Sequence, residues 1–225
     1  EKKYYKNFKQ KPKSAYKSYD LETQLNCFPI LEIILNKKIC LVASNYLNCI
    51  PTLYSVNTFW TFPKKNALTT NFHRDLDDLK FITFFIYWTS AGGYEQINFT
   101  HKNSKNIKKI LKSKKNKYFS NNFNDFYKQT MPGYGFDDNY MKLFGKKNIT
   151  YFKGVKGKII VADTEGLHRG KIEKLPRLAT WIRFGISTGR DTAIEKKLNI
   201  NKLNDENLRF IKNSDYNYVF RELLK

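Results

Sequence analysis

The chain has 225 residues, with 41 Lys and Arg against 20 Asp and Glu, for a formal net charge of +21. This length fits one domain, and the 18 Phe, 15 Tyr and 3 Trp can bury enough apolar area to exclude global disorder. No run of about 18 apolar residues occurs, and the first residues lack the apolar stretch of a signal peptide, so we expect neither a membrane span nor a signal peptide. The three cysteines fit neither a zinc site nor a disulfide framework, which predicts reduced thiols in a cytoplasmic protein.

The positive charge has two explanations that the sequence leaves open. It would attract a polyanionic partner such as nucleic acid, an anionic membrane surface or a phosphorylated substrate. It would also follow from a Lys- and Asn-rich composition, because nearly all the basic residues are Lys. Specific recognition of nucleic acid usually relies on Arg as well, and Arg is scarce outside one short region. We therefore expect no specific nucleic-acid partner and no membrane partner.

The pattern along the chain predicts one mainly β domain with flanking helices. Residues 1–20 are a basic leader, residues 21–50 a helical cover with Pro29 near a helix start, residues 51–187 the β core, and residues 188–225 a C-terminal helical segment. One predicted strand, Leu79–Trp88, is apolar on both faces, as in the centre of a covered sheet. The other predicted strands are Pro51–Phe62, Gly93–Thr100, Lys156–Asp163 and Arg177–Ser187.

A run of lysines occupies Lys102–Lys117. It contains many Lys and no Arg, with only Ile107, Ile110 and Leu111 as apolar residues. This composition favours a solvated helix or loop, and a phosphate-binding face is the alternative. We expect the run to lie on the surface and to provide no specific nucleic-acid site.

Only three histidines are available for chemistry, and two of them have a pattern typical of a metal site. His73 and Asp75 lie two residues apart in NFHRDLDD, so on an extended strand they project from the same face and can reach one ion. His168, in VADTEGLHRG, directly follows a predicted strand. Two histidines and one carboxylate on one face, with the remaining positions open, form the facial triad of non-haem Fe(II) oxygenases. A lone H-x-D pair would be weak, but the set predicts an iron site.

An arginine nearby could hold an organic co-substrate. Arg177 lies nine residues after His168, at the start of the next strand. Its guanidinium can grip a carboxylate with two parallel hydrogen bonds, as the distal carboxylate of 2-oxoglutarate requires. Arg183 lies on the same face of that strand and is the rival anchor.

These segments resemble the phytanoyl-CoA dioxygenase family of 2-oxoglutarate-dependent oxygenases. The stretch FHRDLDDLKFITFFIYWT resembles the family's first metal-binding strand and the strand after it. The stretch GLHRGKIEKLPRLATWIRF resembles its second-histidine segment, with the co-substrate arginine further on, and YEQINFTHKN resembles a segment that often reads PGTHK or PGSHK. The resemblance runs from about Cys49 to Gly185, and the order and spacing agree throughout.

The resemblance implies a fold and a cofactor set. The fold is a double-stranded β-helix, a cupin-like jelly roll with helices packed on its larger sheet. Fe(II) would be bound by His73, Asp75 and His168. The co-substrate 2-oxoglutarate would be bound by Arg177, in a pocket lined by Trp88. With O2, the enzyme would hydroxylate an unactivated C–H bond, and the carboxylate of Asp75 argues against halogenation, because halogenases of this class leave that position open for halide.

The chain departs from the family's pattern at two places. Asn98-Phe99 stands where many relatives have Pro-Gly, and Gly170 stands where some have a Ser that helps to hold the co-substrate. Relatives act on acyl-CoA esters, amino-acid derivatives and natural products, and some have carbohydrate-biosynthesis functions. The basic surface favours an anionic small-molecule substrate such as a sugar nucleotide or CoA ester.

Two other functions are compatible with parts of the sequence. A zinc hydrolase could use the same three ligands, with Asp77 or Asp78 as general base, although no hydrolase motif is present. A basic jelly-roll module could bind nucleic acid or acidic glycan, because aromatic residues interleave with Lys as stacking surfaces require. That module would not explain the triad. If they serve no catalytic role, Asp77 and Asp78 are expected to be solvated or paired with Lys80.

Overall fold

Two antiparallel sheets form the β core of the protein. The computed structural model describes residues 16–63, 71–101, 105–113, 126, 130, 141–171, 174–186 and 197–225. Within these residues the larger sheet has the strand order β1-β2-β8-β3-β6 and the smaller sheet the order β5-β4-β7. The strands are β1 Tyr16–Ser18, β2 Thr52–Thr61, β3 Phe81–Tyr87, β4 Gly93–Ile97, β5 Ile149–Lys153, β6 Ile159–Ala162, β7 His168–Lys171 and β8 Arg177–Gly185.

The strand order confirms the predicted double-stranded β-helix. After β2 the chain joins the smaller sheet through a bridge between His73 and His168, returns to the larger sheet at β3, and crosses again to β4 and β5. It then alternates through β6, β7 and β8. Such repeated crossing between two facing antiparallel sheets is the jelly-roll arrangement. Residues far apart in the sequence therefore meet between the sheets.

Helices cover the outer face of the larger sheet. The N-terminal helices are α1 Leu21–Leu25, α2 Phe28–Ile34 and α3 Lys37–Leu47. Asp20 and Asn36 cap α1 and α3 through their side chains, and Pro29 lies in the first turn of α2, as predicted. The other helices among the described residues are α4 Lys105–Leu111, α5 Met141–Phe144 and α6 Asp205–Lys212, with 3-10 turns at Lys146–Asn148, Ile200–Lys202 and Asn217–Glu222.

The largest hydrophobic core lies between this helical layer and the larger sheet. Alternate residues of β3 and β8 supply its sheet side, because successive side chains of a strand point to opposite faces. Phe84 and Phe184 meet edge to face there, with ring centroids 5.8 Å apart. The layer combines both ends of the chain and includes Leu31, Ile34, Cys40, Leu47, Ile211, Val219 and Phe220. The opposite face of the same strands is left for the space between the two sheets.

The structure differs from the sequence-based expectations at several elements. Tyr16–Ser18, expected to belong to the leader, is an edge strand paired with β2, and residues 1–15 lie outside the described residues. The strands β5 and β7 were not predicted, since each is short and carries polar residues. No helix among the described residues is both long and apolar enough to cross a bilayer.

The described part of the lysine run is an amphipathic surface helix. In α4, Ile107 and Leu111 are buried in a small core with Phe72, whereas Lys105, Lys108 and Lys109 are exposed. Residues 102–104 and 114–117 of the run lie outside the described residues. The apolar side of this helix is thus used for packing, and its lysines face solvent.

We predict that this helix gives only weak, salt-sensitive attraction to nucleic acid. Lysine is a hydrated point charge, and binding that depends on phosphate contacts falls steeply as salt rises. Binding of short single- and double-stranded nucleic acids, measured at low and physiological salt, should be lost at physiological salt. Sequence-dependent binding that survives physiological salt would contradict the prediction.

Candidate metal centre

The jelly roll brings three residues with metal-binding side chains together. His73 and His168 pair through both backbone hydrogen bonds, with N–O distances of 2.9 and 2.8 Å. The Asp75 backbone N–H donates to the carbonyl of Thr164 at 2.9 Å, which fixes the segment two residues further on. The segment between β2 and β3 is therefore held against the start of β7 by backbone bonds, with the three side chains on one side.

The distances among these side chains suit a single ion. Asp75 Oδ1 lies 3.8 Å from His73 Nε2, and Asp75 Oδ2 lies 3.6 Å from His168 Nε2. One ligand atom from each residue can be chosen so that all lie within 4.8 Å of one another. Ligand atoms bound at about 2.1 Å to one ion lie about 3 Å apart when at right angles, so a small inward movement would complete the site.

Both imidazole rings are oriented by backbone carbonyls. Nδ1 of His73 lies 2.9 Å from the carbonyl oxygen of Asn71, and Nδ1 of His168 lies 3.0 Å from that of Gly166. A carbonyl can only accept, so each Nδ1 carries a proton, and in a neutral ring this tautomer leaves the lone pair on Nε2. The rings thus offer Nε2 to a metal, as metal-ligating histidines usually do.

The electrostatic surroundings keep the donors in metal-binding form. Burial lowers the pKa of His168 to about 4, and the attraction of Asp75 opposes this only in part. Burial raises the pKa of Asp75, but the Arg183 guanidinium, both imidazoles and a hydrogen bond from Thr164 together outweigh that effect, and the resulting pKa is about 2. Near neutral pH the site therefore presents an imidazole and a carboxylate that need not lose a proton to bind a cation.

A cavity of about 240 Å³ between the two sheets adjoins the three residues. Six of its fifteen lining residues are Phe, Tyr or Trp, and Tyr94 stacks on the His168 ring with centroids 5.6 Å apart. Tyr94 was missed by the sequence analysis, because its place beside β7 depends on the register of β4. The lining comprises Tyr16, Phe59, His73, Asp75, Asp77, Phe85, Tyr87, Gly93, Tyr94, His168, Gly170, Arg177, Ala179, Trp181 and Arg183.

Arg177 is a buried cation in the wall of this cavity. Its side chain donates to the Gly93 carbonyl at 3.1 Å and to the Thr61 hydroxyl at 3.2 Å, while its buried Nε has no hydrogen-bond partner among the described residues. Within the same part of the chain no carboxylate lies at ion-pair distance from it. Burial lowers the pKa of Arg177, because it disfavours the charged guanidinium. A desolvated guanidinium without a counter-charge fits an anionic ligand such as a carboxylate.

The rival arginine has a different environment. Arg183 Nη2 donates to Asp75 Oδ2 at 2.7 Å, and Nη1 pairs with Asp77. Its charge is therefore matched within the protein, which favours Arg177 over Arg183 as anchor for an organic anion. The expectation for Asp77 is corrected, since it pairs with this buried arginine, whereas Lys80 lies over the Tyr46 ring at 4.9 Å.

The placement of Trp88 corrects its assignment to the co-substrate pocket. Trp88 follows β3 on the helical side of the larger sheet, where its Nε1 donates to the Thr180 hydroxyl at 2.7 Å. It lines a second, mostly apolar cavity with Ile30 and Leu178 and is not among the described residues that line the metal cavity. The cause is strand alternation, because Phe85 and Tyr87 face the metal and the next residue faces away.

The third histidine lies outside the cluster. His101 Nε2 is 3.3 Å from Asp163 Oδ2, and Asp163 Oδ1 accepts a hydrogen bond from the Glu165 backbone N–H at 3.1 Å. Asp163 also accepts a bond from the Tyr46 hydroxyl. This network braces the loop that leads into His168, which is a structural role.

We predict that Gly170→Val blocks the anion site beside Arg177. A Cβ at Gly170 would lie 3.1 Å from Arg177 Nη2 and 3.3 Å from Nη1, so a branched side chain would displace the guanidinium or fill the space before it. The dissociation constant for 2-oxoglutarate, measured by calorimetry on the Co(II)-loaded protein, should rise at least tenfold, which is a loss of about 1.4 kcal/mol. Co(II) affinity, measured in the same experiment, should stay within a few-fold of wild type. Unchanged 2-oxoglutarate affinity would place the anion elsewhere.

The sequence has no match among family models or curated proteins. Among solved structures, HygX from Streptomyces hygroscopicus, crystallised with nickel and 2-oxoglutarate, is 10% identical at a TM-score of 0.45, over 88% of this chain and 81% of HygX. AviO1 from Streptomyces viridochromogenes Tue57 is 12% identical at 0.45, over 87% and 82%. EctD from S. alaskensis, with 2-oxoglutarate and 5-hydroxyectoine, is 13% identical at 0.47, over 86% and 63%. Likeness at this level identifies no activity for this chain.

Proposed function

We propose that this chain is a non-haem Fe(II), 2-oxoglutarate-dependent dioxygenase that hydroxylates a C–H bond of a small molecule. One observation carries the proposal: two histidines and a carboxylate converge at the cavity whose wall also contains Arg177, a buried arginine that pairs with no carboxylate of the described residues. The donor set suits Fe(II), because two imidazoles and one carboxylate leave the remaining coordination positions open. The arginine suits the distal carboxylate of 2-oxoglutarate, which would supply the missing counter-charge.

The protein's part in this reaction is to position and to exclude water. When bound, Fe(II) with 2-oxoglutarate and O2 supplies the oxidising chemistry that breaks the C–H bond. His73, Asp75 and His168 would hold the metal, and the backbone carbonyls at Nδ1 of the two histidines keep their rings from turning. Arg177 would orient the co-substrate by binding its distal carboxylate. The aromatic wall lowers the local dielectric and keeps the reacting face dry.

The finer assignments belong to the same proposal. We assign the chain to the phytanoyl-CoA dioxygenase family on the motifs around His73 and His168, and we treat residues 1–225 as one oxygenase domain. Its substrate is a small metabolite, and the surface lysines favour an anionic one. We place its activity in the cytoplasm, since reduced thiols fit Cys27, Cys40 and Cys49, which are all free.

The surroundings of Asp77 argue against a zinc hydrolase. A hydrolase would need a general base free to accept a proton from a metal-bound water. Asp77, the candidate for that role, is engaged by Arg183 and accepts a hydrogen bond from the Tyr54 hydroxyl at 3.1 Å. Asp78 is engaged as well, since it accepts from the backbone N–H groups of Leu79 and Ile186.

The test of the proposal is turnover of 2-oxoglutarate. Purified protein is incubated with Fe(II), ascorbate and O2 over a metabolite panel that includes sugar nucleotides, acyl-CoA esters and amino-acid derivatives, and succinate is measured. We expect metal-dependent succinate formation that one substrate class stimulates, with a product 16 mass units heavier. A protein that binds neither Fe(II) nor 2-oxoglutarate at millimolar concentration would refute the proposal.

A further inference from the structure

Arg183, near the C-terminal end of β8, forms ion pairs beside the metal centre. The Arg183 guanidinium spans two carboxylates, with Nη2 2.7 Å from Asp75 Oδ2 and Nη1 paired with Asp77. It also lies over the Trp181 ring, 4.6 Å from the centroid. The side chain is only 13% exposed, so these contacts are formed away from water, where charge-assisted hydrogen bonds are strong. Arg183 therefore cannot turn without breaking several contacts at once.

The segment that carries Asp75 is tied to the same end of β8 by its other acidic residues. Asp77 accepts from the hydroxyl of Tyr54 at 3.1 Å as well as pairing with Arg183. Asp78 Oδ2 accepts from the backbone N–H of Ile186 at 2.8 Å. The acidic residues of the HRDLDD motif thus all meet the end of β8 or the neighbouring β2. These contacts hold the segment through protein groups alone.

The arrangement distinguishes the two oxygens of Asp75. Arg183 donates to Oδ2, which also lies 3.6 Å from His168 Nε2, whereas Oδ1 lies 3.8 Å from His73 Nε2. We infer that Arg183, held by Asp77, is a positioning residue that restricts Asp75 to binding the metal through Oδ1 alone. The inference rests on the proposed function. One-oxygen binding matters there because a second carboxylate oxygen on the ion would take a position that the co-substrate or O2 needs.

If Arg183 acted only through its charge, its loss would change the metal affinity in the opposite direction from the loss of a positioning residue. Removing a buried cation beside a site for a dication should tighten metal binding, since like charges repel strongly away from water. Removing a positioning residue should weaken binding or change its mode, and loss of such outer contacts typically costs about 10- to 100-fold in metal affinity. Arg177 is the matched control. It is a buried arginine on the same face of β8 and contacts none of the three ligands in the described structure.

The experiment compares Co(II) binding by the full chain carrying Arg183→Gln or Arg177→Gln, without 2-oxoglutarate. We expect Arg183→Gln to weaken Co(II) binding about 10- to 100-fold and to change the visible absorption of bound Co(II), which depends on coordination number. Arg177→Gln should bind Co(II) as tightly as wild type or more tightly, with the wild-type spectrum. An Arg183→Gln protein with unchanged or tighter binding and the wild-type spectrum overturns the inference.

A second variant distinguishes an effect on the metal site from misfolding of the Arg183→Gln protein. Arg183→Lys keeps the charge but replaces the planar fork by a single ammonium, which cannot bridge both carboxylates in the same way. We expect weaker Co(II) binding and an altered spectrum here too, with circular dichroism like that of wild type; a wild-type spectrum and affinity overturn the inference. A wild-type chain that binds no Co(II) refutes the proposed function and this inference together, whereas normal wild-type binding with unaffected Arg183 variants refutes the inference alone.

Discussion

Replacing Arg177 with Ala should raise the concentration of 2-oxoglutarate required for half-maximal binding by a large factor. The side chain is 6% exposed and donates to Gly93 and Thr61, and no carboxylate of the described residues pairs with it, so a bound carboxylate would supply the missing counter-charge. Loss of a buried charge-assisted pair costs about 2–5 kcal/mol, which corresponds to roughly 30- to 5,000-fold in affinity. The measurement is calorimetric titration of 2-oxoglutarate into the Co(II)-loaded protein.

Two controls separate this effect from general damage. Arg169→Ala removes a basic side chain from β7, the strand that precedes β8 in the chain, where its Nε lies 2.7 Å from Glu95 Oε2, and should leave 2-oxoglutarate binding close to wild type. Arg177→Met should not lower the melting temperature of the protein without ligands, because a buried cation without a counter-charge costs stability. If Arg183→Ala loses 2-oxoglutarate binding and Arg177→Ala keeps it, the anchor has been assigned to the wrong arginine.

The two arginines show which properties of a site residue can be predicted from the sequence and which cannot. Strand alternation places Arg177 and Arg183 on one face of β8, and the structure confirms this, since both line the cavity. Their chemical difference depends on what faces them from other strands. Arg183 meets Asp75 and Asp77 because the segment before β3 crosses the end of β8, and no local pattern in the sequence encodes that crossing.

Other features could be predicted where the pattern of a single strand determines them. The two-sided apolar pattern of residues 79–88 predicted a central strand, and β3 lies between β8 and β6. The same pattern did not show that Trp88 points away from the metal. Both faces of the strand are apolar, so the pattern does not indicate which face a given residue takes. The polar sequence HRGK gave no strand signal, yet β7 forms because β4 and the His73 bridge provide its hydrogen-bond partners.

Replacing His168 with Ala should abolish stoichiometric metal binding. His168 is 4% exposed, its Nδ1 faces the Gly166 carbonyl, and burial holds its pKa near 4, so it is a neutral donor fixed toward Asp75. Loss of residues that merely orient a ligand costs about 10- to 100-fold in metal affinity, and loss of a ligand should cost more than 100-fold. Co(II) titration followed by visible absorption, with metal analysis of the purified protein, measures the effect.

The third histidine provides the matched control for this prediction. His101→Ala removes an imidazole of the same chemistry that pairs with Asp163 and lies outside the metal cavity as described. It should lower the melting temperature slightly, since it breaks a partly exposed pair, and leave Co(II) stoichiometry at one per chain. His168→Ala should instead abolish stoichiometric Co(II) binding, and it should lower the melting temperature as well, because it removes a buried ring that stacks on Tyr94. Equal loss of metal binding in both variants would mean that the loop around Asp163, rather than the imidazole of His168, determines metal binding.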